Sequence, residues 1–204
     1  MHRFILALSC ILMMLAAPIS AQDFQKGYEA YQNGDYATAL KEWTPLAERG
    51  NSEAQHWLGN MYNFGKGVHK NYKEAAKWYR LAAEQGNLDA QSSLGLLYWG
   101  WSCFSPCQRV PRDYQESIKW FKLAAEQDHG YAQNALGTMF MLGYGVPADF
   151  VISHMWFNIA AANGAESAGA NRDIIAKEMT SEDISKAEAM ARACFNSNYE
   201  KCGY

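Results

Sequence analysis

The cysteines are the residues of this 204-residue sequence with the most obvious chemistry. Cys103 and Cys107 have three residues between them and Cys194 and Cys202 seven, while Cys10 sits in an apolar N-terminal run. Zinc is a poor fit, because neither pair has the two-residue spacing of a zinc knuckle and no histidine stands close beside either pair. The five histidines, His2, His56, His69, His129 and His154, show no metal-ligand spacing. No Gly-x-Ser-x-Gly, phosphate-binding loop or Ser-x-x-Lys motif occurs, so neither a nucleophilic serine nor a nucleotide site is signalled. A short Cys103–Cys107 ring would be strained and easy to reduce, yet nothing nearby obviously lowers a thiol pKa. No enzyme and no cofactor is therefore expected.

The N-terminus decides what the cysteines do. His2 and Arg3 begin the chain, Phe4 to Ala17 is apolar but for Ser9 and Cys10, and Pro18 to Ala21 ends in small residues before polar Gln22-Asp23. This is the pattern of a secretory signal over residues 1–21, cleaved after Ala21. As a membrane anchor the run falls short of the roughly 20 residues a spanning helix needs. A lipid anchor on Cys10 would cut it in half. Export to the periplasm or beyond, without a remaining membrane span, leaves Cys103, Cys107, Cys194 and Cys202 in an oxidising compartment, where an even number suggests disulfides. Three pairings are formally open, and the two local ones are the simplest. A formal charge of −3 and a pI near 5.9 give no general attraction to nucleic acid or an anionic membrane. With 49% hydrophobic residues the rest of the chain folds rather than remaining disordered.

One repeat organises the chain beyond residue 50. Asn51-Ser-Glu-Ala54-Gln, Asn87-Leu-Asp-Ala90-Gln and His129-Gly-Tyr-Ala132-Gln open three units, and the register continues through Leu58-Gly59, Leu94-Gly95 and Leu136-Gly137. Tyr62, Tyr98 and Phe140 come next, then Val68, Val110 and Val146, then Trp78-Tyr79, Trp120-Phe121 and Trp156-Phe157. Each unit closes on Ala82-Ala83, Ala124-Ala125 or Ala161-Ala162 before Gly86, Asp128 or Gly164. Chance does not supply this many matches in one register. The units are 51–86, 87–128 and 129–164, the second of them six residues longer.

Each unit must be two helices. Ala54, Trp57, Leu58, Met61 and Tyr62 share one face at three- and four-residue spacing, and Gly65-Lys66-Gly67 stops the helix by accepting left-handed backbone. A second helix from about Asn71 to Gln85 carries Ala75, Trp78, Tyr79 and Ala82 inward. Gly59 and Ala75 stand where paired helices approach closely, so leucine at Gly59 or Gly95 is expected to damage folding. Residues 22–50, with Gly34-Asp35-Tyr36, Ala39, Trp43 and Ala47, read as a divergent first repeat. Residues 165–204 read as a closing helix pair with an N-terminal cap at Thr180 and Asp183 and a disulfide-tied tail.

The pattern Ala-x-x-x-Leu-Gly-x-x-Tyr-x-x-Gly-x-Gly-Val, then Ala-x-x-Trp-Tyr-x-x-Ala-Ala-x-x-Gly, resembles the Sel-1-like repeat family, a relative of the tetratricopeptide repeats. Residues 51 to 164 carry the match closely, and 24 to 50 loosely. The resemblance implies an all-α, right-handed α-solenoid of about four helix-turn-helix repeats plus a C-terminal capping helix pair. It implies an exported adaptor that binds protein or peptide. The positions that tetratricopeptide-like proteins turn into their groove correspond to Tyr28, Tyr31, His56, Asn60, Asn63, Ser92, Leu96, Trp99, Asn134, Thr138 and Met141. That lining is polar, aromatic and uncharged, suited to a peptide backbone through its amides and to apolar contact through its rings. It lacks the lysines and arginines with which some such proteins clamp a C-terminal carboxylate. Alanine at Asn60 and Asn134 is expected to weaken capture and spare folding.

The longer unit offers a second candidate, the loop Trp99-Gly-Trp101-Ser-Cys103-Phe104-Ser-Pro106-Cys107. Insertions in solenoids map to loops on one edge, and Trp101 and Phe104 beside a small disulfide ring would make a rigid apolar anchor. The plain alternative is that these rings fold back over a neighbouring repeat. Some cysteine-rich relatives bind penicillin, which makes β-lactam hydrolysis the enzyme alternative, opposed by the absence of Ser-x-x-Lys.

Overall fold

The computed structural model describes residues 19–100, 110–200 and 202. Those residues form ten α-helices: α1 (Ile19–Gln32), α2 (Tyr36–Glu48), α3 (Ser52–Phe64), α4 (Tyr72–Glu84), α5 (Leu88–Trp99), α6 (Tyr114–Ala125), α7 (Gly130–Leu142), α8 (Phe150–Ala162), α9 (Ala168–Ile175) and α10 (Ser181–Asn196). A 3-10 turn, Ala176–Glu178, separates the last two, and no strand occurs among the described residues. Most of the signal segment lies outside the described residues, and so does the loop holding Trp101, Cys103, Phe104 and Cys107.

Polar side chains set where helices start. The side chains of Asp35, Asn51, Asn71, Asn87, Asp113 and Asp149 each accept a backbone N–H from the first turn of the helix they precede. His129 does the same through Nδ1 at 3.2 Å from Ala132 N, and Thr180 through its hydroxyl at 3.1 Å from Asp183 N. Each cap satisfies an orphan donor and is worth about 1 kcal/mol. Gly65, Gly100 and Gly143 end α3, α5 and α7 in left-handed backbone, with φ of 69°, 84° and 68°.

Successive helices then pair, α1 with α2, α3 with α4, α5 with α6 and α7 with α8, and the pairs stack through α2 on α3, α4 on α5 and α6 on α7. Within each pair an aromatic ring lies flat on a glycine. A Cβ added at Gly27, Gly59, Gly95 or Gly137 would come within 2.5, 2.4, 2.8 or 2.6 Å of the ring of Trp43, Tyr79, Phe121 or Phe157. Real side chains do not tolerate that approach, so the Leu-Gly step fixes the helix separation. Two pairs add a hydrogen bond there: the Ser117 hydroxyl donates to Gly95 O at 2.8 Å and that of Ser153 to Gly137 O at 2.7 Å.

A glutamine ties each pair to the one before. Gln55, Gln91 and Gln133 are buried and donate to Ala47 O, Ala83 O and Ala125 O at 2.9, 3.1 and 2.9 Å, a second bond for carbonyls that the turn after the preceding helix also engages through Gly50, Gly86 and Asp128 N–H. Their side-chain oxygens accept in turn from Gln85, Gln127 and Asn163 at 2.7, 3.4 and 3.0 Å. The result is a polar ladder running through the stack. α3 also touches α5.

The C-terminal end departs from the repeat. α9 and α10 both pack on α8. As a result Ile159 is 3% exposed, where the corresponding Leu81 and Leu123 are 45% and 38% exposed. A disulfide joins Cys194 to Cys202 and turns the chain back, placing Tyr199 at the end of the glutamine ladder. No helix of the described residues is long and apolar enough to cross a membrane.

Candidate functional site

The first helices of the four pairs, α1, α3, α5 and α7, carry three rows of residues at corresponding positions. The first row is His56, Ser92 and Asn134, the second Asn60, Leu96 and Thr138, and the third Asn63, Trp99 and Met141; Tyr28 and Tyr31 extend the second and third rows onto α1. The rows differ in what they leave for a guest.

His56 is 7% exposed and Ser92 is also buried. The His56 ring packs 5.8 Å from Tyr79 and 5.9 Å from Trp57, and its burial lowers its pKa below the usual histidine range against the opposing pull of Asp89. Asn60 sits between His56 and Tyr79. It accepts the Tyr79 hydroxyl proton at 2.7 Å, and its Nδ2 lies 3.2 Å from His56 Nε2. Burial pushes the Tyr79 phenol up, which keeps that proton in place. With the Asn60 oxygen so occupied, its Nδ2 is the group that faces His56 Nε2, while His56 Nδ1 is buried with no hydrogen-bond partner among the described residues. Asn60 thus has a structural duty, and alanine there removes the acceptor of a buried hydroxyl's proton rather than sparing the fold.

The other positions are more open. Asn63 is half-buried and its Oδ1, although shielded, has no hydrogen-bond partner among the described residues. Thr138 is half-buried and donates to Asn134 O at 3.0 Å. Asn134 accepts from Asn171 Nδ2 at 3.0 Å, and its own Nδ2 makes no hydrogen bond among the described residues. Leu96 packs on the core, and Met141 is half-buried. The rings form a wall. Tyr28 and Tyr31 lie edge-on to Trp57 at 5.3 and 5.1 Å, Tyr31 meets Tyr36 at 5.3 Å, and burial pushes the Tyr31 phenol up. Trp99 stands edge-on to Phe121 at 6.0 Å and Tyr144 at 6.2 Å. None of these positions is charged. These helices therefore offer a few amide and hydroxyl groups between half-buried aromatic faces, a surface for polar main chain and apolar side chains.

Two features lay outside the sequence expectation. The glutamines stood in plain view, repeated beside Ala54, Ala90 and Ala132, and a polar residue recurring on an apolar face was their signal. The other is a cleft of about 440 Å³ between the start of α7 and the α8–α9 connection, lined by Gly130, Tyr131, Asn134, Asn163, Gly164, Ala165, Glu166 and Ser167. Its lining comes from two separate units, so no linear motif announces it. Among the described residues no three His, Cys, Asp or Glu side chains converge to hold a metal.

The repeat pattern and this geometry agree with known proteins. Residues 52–87, 88–129 and 130–164 each match the Sel1 repeat. The crystal structure of a Sel1 repeat protein from Oxalobacter formigenes is similar, with a TM-score of 0.65 and 25% identity, covering 86% of this chain and 77% of that one. The protective antigen c5321 of uropathogenic Escherichia coli strains, which displays an SLR fold, shares 28% identity over 88% of this chain and 47% of its own, with a TM-score of 0.48. No curated protein sequence matches. Since the matched segments span more than half of the sequence, this chain belongs to the Sel1 repeat family.

Proposed function

We propose that this protein is an exported adaptor that binds another protein or a peptide along the inner side of its solenoid. Sel1 repeat solenoids are commonly protein-interaction scaffolds. The observation that carries the reading here is the uncharged stripe of Asn63, Thr138, Tyr28, Tyr31 and Trp99 along the first helices of the pairs. Export is supported by the N-terminal sequence pattern and by the Cys194–Cys202 disulfide, a bond that persists in oxidising compartments.

The test is affinity capture from envelope extract with wild-type protein and an Asn63→Ala/Thr138→Ala variant. Neither substitution strands a buried partner, so melting should hold while recovery of the captured protein falls by about fivefold, on the order of the loss of one or two interface contacts. Unchanged recovery would move the site to Trp101 and Phe104. Mass spectrometry of the mature protein should find Gln22 at its N-terminus, and an uncleaved chain would end the export reading. Turnover of a β-lactam by the purified protein would overturn the adaptor reading in favour of an enzyme.

A further inference from the structure

We propose that the cleft between α7 and the α8–α9 connection receives the cationic side chain of a lysine or arginine from a bound polypeptide. Gly130, Tyr131 and Asn134 form one wall and Asn163 to Ser167 the other, and the volume of about 440 Å³ accommodates one long side chain with its backbone. Gly164 leaves the floor open, since a Cβ there would meet nothing within 4 Å.

The chemistry of the lining selects a cation. Tyr131 is 47% exposed, and the ring near it is that of His129, edge-on at 6.5 Å. Elsewhere several rings lie under one of this protein's own cations: Lys66 over Tyr36, Lys70 over Tyr72, Arg80 over Tyr98 and Trp120, and Arg112 over Tyr114. No such cation lies over Tyr131 among the described residues. Glu166, exposed in the same cleft, makes no ion pair among them either. Asn163 shares the two hydrogens of its Nδ2 among Asp128, Gln133 and Tyr199, which leaves its Oδ1 as an acceptor. A face of π density, a carboxylate and an amide oxygen complement an ammonium or guanidinium group. The free Nδ2 of Asn134 would take the guest's backbone carbonyl. An aromatic ring with amide and carboxylate neighbours also suits a saccharide, so the test turns on charge.

The cleft shares Asn134 with the three rows on the first helices and depends on no other residue of them. The probe is the peptide Ac-Gly-Lys-Gly-NH2, titrated into ¹⁵N-labelled protein with its disulfide intact, against the same peptide acetylated on the lysine Nζ. The lysine peptide should shift the amides of Tyr131, Gly164 and Ser167 with saturation in the millimolar range, and the acetylated peptide should bind about tenfold more weakly. Glu166→Gln and Tyr131→Ala should each weaken binding about threefold at unchanged melting temperature. Equal binding of the acetylated peptide, indifference to both substitutions, or shifts confined to other residues would each overturn the proposal. The Asn63→Ala/Thr138→Ala variant should titrate like wild type, so failure of the inner-stripe reading and failure of this one are separable.

Discussion

The Tyr199 hydroxyl donates its proton to Asp128 and accepts from Gln133 Nε2 at 3.1 Å and Asn163 Nδ2 at 3.2 Å, joining the tail of the chain to the turn between two repeats. Burial pushes the Tyr199 phenol up and the Asp128 carboxylate adds to the effect, so the hydroxyl keeps the proton it donates. Asp128 adopts left-handed backbone, with φ of 62°, at the position Gly86 and Gly164 occupy in neighbouring units. That conformation is unfavourable for a residue with a side chain, and the hydrogen bonds of its carboxylate offset the cost. Tyr199→Phe should lower stability by about 1–2 kcal/mol. For a domain of this size that is a fall of about 3–8 °C in a thermal melt followed by circular dichroism. An unchanged melt would mean the tail does not close the stack.

The disulfide and this tyrosine should act as one unit. Closing the short Cys194–Cys202 loop restricts the unfolded chain by about 2–3 kcal/mol. Cys202→Ser should therefore destabilise on that scale, and also loosen Tyr199, which lies inside the loop. Combined with Tyr199→Phe, the double variant should lose less than the two single losses together, because each removes part of the same anchorage. Simple additivity in denaturant midpoints would show that the two are independent.

Glycine substitutions should give opposite signs at two helical sites. At Gly59 an added Cβ meets the Tyr79 ring at 2.4 Å, so Gly59→Ala should cost about 1–3 kcal/mol despite alanine's better helix propensity, and Gly59→Leu should prevent folding. Gly169, on α9, has nothing within 4 Å of that position. There alanine should stabilise by about 0.4–1 kcal/mol. Equilibrium urea unfolding measures both, and a neutral Gly59→Ala would contradict the ring-on-glycine contact.

Acidification should weaken the fold from near neutrality. Burial lowers the pKa of both His56 and His154 from the ordinary 6.5, so each takes a proton more readily when the chain is unfolded. The stability they contribute is present above about pH 6.5 and is lost as the pH falls through their lower folded values. Melting temperature should be level from pH 8 to 7 and decline below about 6.5. His56→Gln should flatten part of that decline, and an identical pH profile in the variant would remove His56 from the account.

Much of the fold is legible in the order of residues. The recurrence of Ala54, Leu58, Gly59, Tyr79 and Ala82 at helical spacing assigns the pairs, since a helix period dictates which residues share a face. The candidate site is less legible. Spacing puts His56, Asn60 and Asn63 on one stripe, but not which of them remains free, because the partner that occupies Asn60 lies nineteen residues on, in the paired helix.

What the sequence by itself determined is the period, the helix starts at Asn and Asp, and the glycines that let two backbones approach. These are local choices, made within one helical turn or by the size of one side chain. Tertiary structure alone decided that Asn60 serves Tyr79, that Gln55, Gln91 and Gln133 bridge successive pairs, and that Tyr199 returns to Asp128. Those bonds join residues 8 to 71 apart. A polar side chain finds such partners only after apolar packing has brought the helices together, so no local pattern encodes them.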